Sequence, residues 1–456
     1  MRGKEETLSL LACAVDEARR AGVEGEANIE AYRESTMRSA WGEVHQTPVA
    51  EAAVLRVEVR DGLRAATVEI AETSQQAIRE AIARGCALLS DVPENPYLPD
   101  LANQPENLPE EILGLQELLD FSDDLAIKER AFDRIRRASQ GTALTGSARF
   151  FTAGCEKGVA NTAGLSRYHT ASHAFLALVV SETAGLSSYA ERAAEVPSAV
   201  DVEGAIEEAF SRAALMQRLP VLDPFADGKG SRAYDAIFTH YAVGEWLWYL
   251  SWSFDGLSIH ERTSYLGGRK LGDIIAGSNV TLAEDWRHLE VVALPFDYEG
   301  RTSQRVPFIE HGRFRGAVYD GMSAKKAGVE STGHSGGARC LVLQGGEKTF
   351  DELIALSDRP TVIATFLNYP GMPDEREAVF TATTRYGTFF AEDGKARAVC
   401  PPLRLRVRSF DALSRIEGMT PSHLLRGQEN YGMFEPVSFV IPAMRIRDVD
   451  FVGSNA

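Results

Sequence analysis

Apolar and polar positions along this chain alternate with two periods, and the switches between them divide it into elements. Leu8, Leu10, Leu11, Ala14 and Val15 recur at helical spacing over residues 6–20, just ahead of Gly22. The period then shortens to two. Residues 27–41 and 52–71 read as strands, and Asp61-Gly62 inside the second run is a hairpin turn. Residues 74–92 return to the helical period, which completes a small α+β unit over about 1–92. The stretch 93–122, rich in Pro, Asn, Asp and Glu, reads as a surface connection. A helix at 123–139 follows, then strand-like pieces over 143–182 with turns at Asn161–Gly164 and Thr183–Gly185. A helix at 201–216, with Asp201 as its N-cap, ends a second unit at about 218. Beyond the Pro/Gly-bearing junction 220–235 the pattern is one apolar helix at 239–255 and then many short strands. Turn signals at Asp297–Gly300, Glu310–Gly312 and Glu392–Gly394 separate these strands, and a short helix is predicted at 349–357. The expected fold is α+β: two small N-terminal units within 1–218, followed by a larger β-rich domain over 219–456 with a central helix.

Composition narrows the function. A formal net charge of −17 repels phosphate backbones, which disfavours direct binding of DNA or RNA. The segment RLRVR at 404–408 reads as a strand with outward arginines rather than a basic patch. No run of 18 apolar residues is present, so no transmembrane helix is expected. The N-terminus lacks the apolar core and cleavage site of a signal peptide. Five scattered cysteines without a CxxC pair point to reduced thiols in the cytoplasm.

The central helix carries the candidate chemistry. Residues 238–252 read FTHYAVGEWLWYLSW, with His240 and Glu245 five apart. A zinc-peptidase helix supplies two ligands and a glutamate that activates the metal-bound water. Here one histidine is present, Tyr241 follows it, and Glu245 stands where a second histidine would. Positions i and i+5 of a regular helix differ by about 140°, so joint ligation by His240 and Glu245 requires a distortion such as a π-bulge near Gly244. A phenol with a pKa of about 10 is a poor general base at neutral pH. No catalytic residue and no metal ligand set is therefore assigned. Other histidines are weaker candidates. His169 and His173 in RYHTASHAF fall on a strand, on one face but about 13 Å apart. His260 sits in a loop after the central helix. Trp246, Trp248, Trp252, Tyr249 and Phe254 make that helix aromatic nearly all round, which suits a core or an interface. There is no dinucleotide fingerprint, phosphate-binding loop or serine elbow.

Residues 295–328, PFDYEGRTSQRVPFIEHGRFRGAVYDGMSAKKAG, resemble the C-terminal domain of the TldD/PmbA family, the so-called modulators of DNA gyrase. EKGVANTAGL at 156–165 is similar to that family's N-S-x-G turn. The family has two kinds of subunit. The TldD kind holds a metal through an HExxxH motif and a cysteine near its C-terminus; the PmbA (TldE) kind lacks the motif and pairs with TldD. Against HEAVGH this chain reads H-Y-A-V-G-E at 240–245, and 425–444 contains no cysteine, with Cys400 well upstream. The resemblance is thus to the PmbA side. It implies a metal-free subunit of a TldD-type zinc metallopeptidase complex acting on peptides, either heterodimeric with a TldD-like chain or homodimeric. It also implies a cavity near the glycine-rich loop STGHSGGARC, where Ser331, Thr332, His334 and Ser335 are candidate peptide contacts. Two alternatives stay open: a stand-alone metallopeptidase with a rearranged His240/Glu245 zinc site, and a homodimeric peptide-binding protein.

Overall fold

Long alternating runs make long strands, and in the first half of the chain they assemble into one sheet. The computed structural model describes residues 1–103, 121–182, 185–228, 230–288, 290–291, 293–425 and 436–453. Most of the connection 93–122, the Thr183-Ala184 part of its turn and residues 426–435 of the cysteine-free stretch lie outside these. The N-terminal elements are α1 (Lys4–Arg20), β1 (Glu24–Ala40), β2 (Glu43–Gln46), β3 (Val49–Asp61), β4 (Arg64–Ile70), α2 (Gln75–Leu89), α3 (Phe121–Ser139), β5 (Leu144–Asn161), β6 (Ser166–Glu182), β7 (Ser187–Ala194) and α4 (Val202–Arg218). The sheet order is β4-β3-β1-β5-β6-β7 with β2 against β1, every pairing antiparallel. Strands of both N-terminal units thus share one sheet.

Local chemistry explains the boundaries. Gly62 takes φ 59° in the predicted Asp61-Gly62 turn. Ser74 caps α2 by accepting from the Ala77 amide at 3.2 Å, and Asp201 caps α4 by accepting from the Gly204 amide at 2.9 Å. All four helices cover one face of the sheet. Leu11, Ala14 and Ile78 pack on Ile29, Val57 and Val59, and Ile135, Ala205 and Ala209 pack on Phe150, Leu176 and Leu178. The opposite face, which carries Tyr32, Cys155, His169 and His173, turns toward the second half of the chain. There Leu294 packs on Cys155 and Ala171, so His169 and His173 are buried rather than at a surface.

The C-terminal domain begins with β8 (Ser231–Phe238), α5 (His240–Ser251), the short α6 (Gly256–His260), β9 (Leu282–Glu284), β10 (Val306–Glu310), β11 (Arg313–Phe314), α7 (Gly321–Ala327), β12 (Cys340–Leu343) and α8 (Phe350–Ala355). It continues through β13 (Thr361–Asp374), β14 (Val379–Glu392), β15 (Lys395–Cys400), β16 (Leu403–Arg408), α9 (Ser409–Leu413), β17 (Ile416–Met419), β18 (His423–Leu425), β19 (Ser438–Ile441) and β20 (Met444–Gly453). Strands β13-β8-β20-β16-β14 close on themselves, because β13 pairs with both β8 and β14. A second sheet runs β11-β10-β9-β12-β19-β18. Helix α5 lies between the two sheets. Trp246 packs on Phe238 and Phe380 and donates its indole N–H to Ser409 Oγ at 2.9 Å. On the other side Gly244 gives the helix its closest approach, where a Cβ would lie 3.0 Å from Leu425 Cδ1 and 3.2 Å from Ile441 Cδ1. The β16 arginines point outward, as its alternating burial requires. The fold is α+β, and its second half is the larger, β-rich domain with fewer helical residues than the first. Among the described residues no helix is long and apolar enough to cross a membrane.

The predicted Asp297–Gly300 turn joins the two halves. Asn28 donates to the Tyr298 carbonyl at 2.6 Å. The Lys157 ammonium sits 3.4 Å from the centre of the Tyr298 ring and 3.3 Å from Glu30. Burial pulls Lys157 down to about 8, and Arg339 adds to it, against the attraction of Glu30 and Asp297.

Candidate functional site

The first residue of α5 is His240, and its position follows from the chain direction. Strand β8 delivers the backbone out of the closed sheet at Phe238, Thr239 takes the extended N-cap conformation, and the helix starts at once. Thr239 directs its hydroxyl to the Thr365 carbonyl, so it fixes the helix to β13 rather than capping its own amides. The imidazole of His240 is thereby placed on the wall of a cavity of about 710 Å³. Edge strands border this cavity on two sides: β7, the last strand of the N-terminal sheet, and β18, the last strand of the second C-terminal sheet. Helix α4 and the N-terminus of α8 close the remaining walls.

Tyr241 lies beside His240, with ring centroids 4.0 Å apart, and reaches behind the cavity wall into a charged network that joins the two halves. Its hydroxyl accepts from the Glu191 amide at 3.1 Å and from Arg192 Nη1 at 3.2 Å, and donates to Glu208 Oε2 at 3.1 Å. Burial, and then the negative charge of Glu208, push this phenol above the ordinary tyrosine range. Arg212 donates to Glu208 Oε1 at 2.7 Å and Arg192 to Oε2 at 2.9 Å. Burial alone would raise Glu208, but Arg212, His240 and Arg192 override it and hold the carboxyl down at about 2. Tyr189 completes the cluster, with its ring edge-on to Tyr241 at 5.2 Å and its hydroxyl donating to Glu191 Oε2 at 2.7 Å.

His240 is held at about 3 by burial, with the Glu208 charge opposing and His423 reinforcing. Its ring packs on that of His423, with centroids 4.9 Å apart. His423 opens β18 from a part of the sequence with no motif to mark it. The same is true of Glu191, Arg192, Glu208 and Arg212, which reach the cavity from the N-terminal half. Nothing local in the sequence identifies any of the five; only the packing of β7 and α4 against α5 brings them together.

Glu245 does not line the cavity. Helix α5 is regular from His240 to Ser251 without a π-bulge, so residues 240 and 245 diverge by about 140°. Among the described residues no three His, Cys, Asp or Glu side chains converge to hold a metal ion. The residues at 240–245 therefore do not fit a zinc-bound water: the position after the first histidine carries a protonated phenol with its hydrogen bonds satisfied, and the carboxylate at 245 faces elsewhere.

Ser331, Thr332, His334 and Ser335 lie elsewhere, in the seam between the two halves. Ser331 Oγ donates to the Tyr319 carbonyl at 3.0 Å, and the Tyr319 amide donates to Thr332 Oγ1 at 2.8 Å. His334 Nδ1 lies 2.9 Å from the same hydroxyl, and the ring is buried. The Ser335 amide donates to Asp297 at 2.9 Å. None of the four is among the described residues that line the His240 cavity. Gly333, at φ 71°, explains the tight course of this loop, since a Cβ there would lie 2.2 Å from the Thr302 carbonyl oxygen. His260, at the end of α6, is exposed. None of the five cysteines is joined in a disulfide.

Comparison with known proteins agrees with this architecture. No curated protein sequence matches the chain. Three solved structures share its fold over nearly the whole length. TldE from Thermococcus kodakarensis has a TM-score of 0.83 at 19% identity, covering 97% of this chain and 100% of its own. A protein from Bacteroides thetaiotaomicron named as a modulator of DNA gyrase has a TM-score of 0.82 at 16% identity, covering 99% of each chain. Another of that name, from Thermotoga maritima, has a TM-score of 0.79 at 18% identity, covering 97% of this chain and 99% of its own. Residues 231–453 match the family described as the PmbA/TldA metallopeptidase C-terminal domain, and this C-terminal domain thus belongs to the TldD/PmbA family.

Proposed function

We propose that this chain is the metal-free, TldE-like subunit of a peptide-cleaving complex, and that a TldD-like partner supplies the metal. The observation that carries this reading is the state of Tyr241. The residue that stands where an activating glutamate would be needed is a buried phenol with two donors and one acceptor around its oxygen. Its role is to join α5 to β7 and α4, and it has no free basicity to activate water. The likeness to TldE is consistent with a partnered subunit.

In this reading the chain contributes a binding surface. Two edge strands border the cavity, and an extended peptide pairs its backbone with such an edge while its side chains enter the space between. Ser331, Thr332 and Ser335, which are partly exposed, remain candidate contacts for a longer segment that passes over the seam, and the buried His334 would support them through Thr332. The site of action is the cytoplasm.

The test is reconstitution. The purified chain alone should carry no stoichiometric zinc and cleave no peptide, and adding a TldD-type chain with HExxxH should yield a heteromer with chelator-sensitive cleavage. Zinc bound one-to-one by the isolated chain, together with unaided cleavage, would overturn the proposal in favour of a rearranged site at His240. A stable homodimer that binds peptide and ignores the TldD-type chain would favour a stand-alone binding protein.

A further inference from the structure

We infer that the His240 cavity selects an apolar peptide side chain, and that Phe350 and Leu424 are the residues that set this preference. The inference rests on the peptide-binding reading above and deepens it. The cavity is lined by many charged and hydroxyl groups, so its polarity has to be judged by which of them are still available. Both guanidinium groups are engaged: Arg192 by Glu208, by the Tyr241 hydroxyl and, at 3.6 Å, by Asp201; Arg212 by Glu208 and the Tyr189 carbonyl. The carboxylates are engaged too. Glu208 receives both arginines and the phenol, Glu191 receives the Tyr189 hydroxyl, and Asp201 caps α4.

The threonines are in the same condition. Thr239 donates to the Thr365 carbonyl. Thr349 exchanges bonds with Glu352 in a capping box at the start of α8. Thr420 donates to the Pro421 carbonyl at 2.9 Å and accepts from the Ala443 amide at 2.9 Å.

Beyond the ring nitrogens of His240 and His423, what remains for a ligand side chain is mainly carbon. Phe350 and Leu424 face the cavity from α8 and β18, with Ala193 and Ala443 beside them and the mutually tilted rings of His240 and His423 across. A charged side chain entering here loses its water and finds no free counter-charge, which is unfavourable. Three lining carboxylates against two guanidiniums leave one negative charge in excess, so an acidic side chain is disfavoured more than a basic one. An apolar side chain loses nothing and removes its own surface from water. Burial of a side chain of leucine size favours binding by roughly ten- to a hundredfold.

The experiment measures binding of labelled Ser/Thr host peptides, with one central residue varied, to the full chain by fluorescence anisotropy. Leu and Phe at the centre should bind at least about tenfold tighter than Lys, and Lys tighter than Glu. Leu424→Glu should reverse the first preference and favour the Lys peptide, with circular dichroism confirming that the variant folds. Equal affinities for all the peptides, or a charged residue preferred by the native chain, would overturn the selectivity while leaving peptide binding standing. No binding of any peptide, including those with Leu or Phe, would overturn the peptide reading itself and this inference with it.

Discussion

Tyr241 shows how one residue decides between two uses of the same helix. A carboxylate at this position would set a second negative charge toward Glu208, whereas the phenol donates to it. Tyr241→Phe removes one donor and two acceptor contacts from a buried cluster and is expected to destabilise the fold by about 1–3 kcal/mol in urea unfolding. Tyr241→Glu should destabilise it further and still bind no zinc in a metal titration, because the helix supplies no second ligand. His240 and Glu208 make the fold acid-sensitive in two windows. His240 sits at about 3 in the fold against 6.5 as an ordinary histidine. The unfolded chain therefore takes up the extra proton, and stability falls as pH drops from 6.5 toward 3. Glu208 sits at about 2 against 4.5, so its contribution is lost as pH falls from 4.5 toward 2. His240→Leu should flatten the urea midpoint between about pH 6.5 and 4.5 and keep a lower window, narrowed, because Arg212 and Arg192 still hold Glu208 down. The imidazole, phenol and carboxylate at 240–245 were legible in the sequence because they share one helix. His423 was not, because a histidine in a three-residue edge strand acquires meaning only from the ring it packs against.

At the scale of elements, hairpins, caps and helices were readable where one face is apolar and the other polar. α2 with its Ser74 cap and α4 with its Asp201 cap are examples. β5 and β6 read only as pieces because both of their faces are buried, and their residues meet helices on one side and the C-terminal domain on the other. A strand with Gly, Cys, Glu and Lys in its buried positions does not alternate. Helix α5 is the element on which the cavity depends. Gly244 lets it approach Leu425, Ile441 and Phe439. Gly244→Ala should stay within about 1 kcal/mol of the native chain, since helix propensity offsets a tight contact that flexible side-chain ends can relieve. Gly244→Val should lower stability by about 1–3 kcal/mol through overpacking, read as a drop in thermal midpoint.

At the scale of the whole molecule, two layers meet along a polar seam. Glu26 of β1 lies in it and is pushed up to about 8, by burial first and then by the charges of Glu58 and, across the seam, Glu299, with Arg60 opposing. The fold thus holds a proton that the unfolded chain releases near 4.5, and stability declines as pH rises from there toward 8. Glu26→Gln should be more stable than the native chain at about pH 8, and the difference should vanish near the ordinary glutamate range; equal pH profiles for both would show that Glu26 is not protonated in the fold. The sequence conveyed the order of the layers and the PFDYEG turn that joins them. It did not convey the sharing of one sheet by both N-terminal units or the closure of β13 on β14 and β8, because pairings between strands so far apart in sequence leave no local period.

That closure has an engineering corollary. Ser231, at the start of β8, is paired with Val452, near the end of β20, so the domain is entered and left through the same doorway. A circular permutant that joins 453 to 231 through a short linker, and opens in an exposed turn such as Glu392–Gly394, keeps every strand neighbour it has now. The same doorway allows the N-terminal layer to be exchanged for another at one splice point without threading a chain through the barrel.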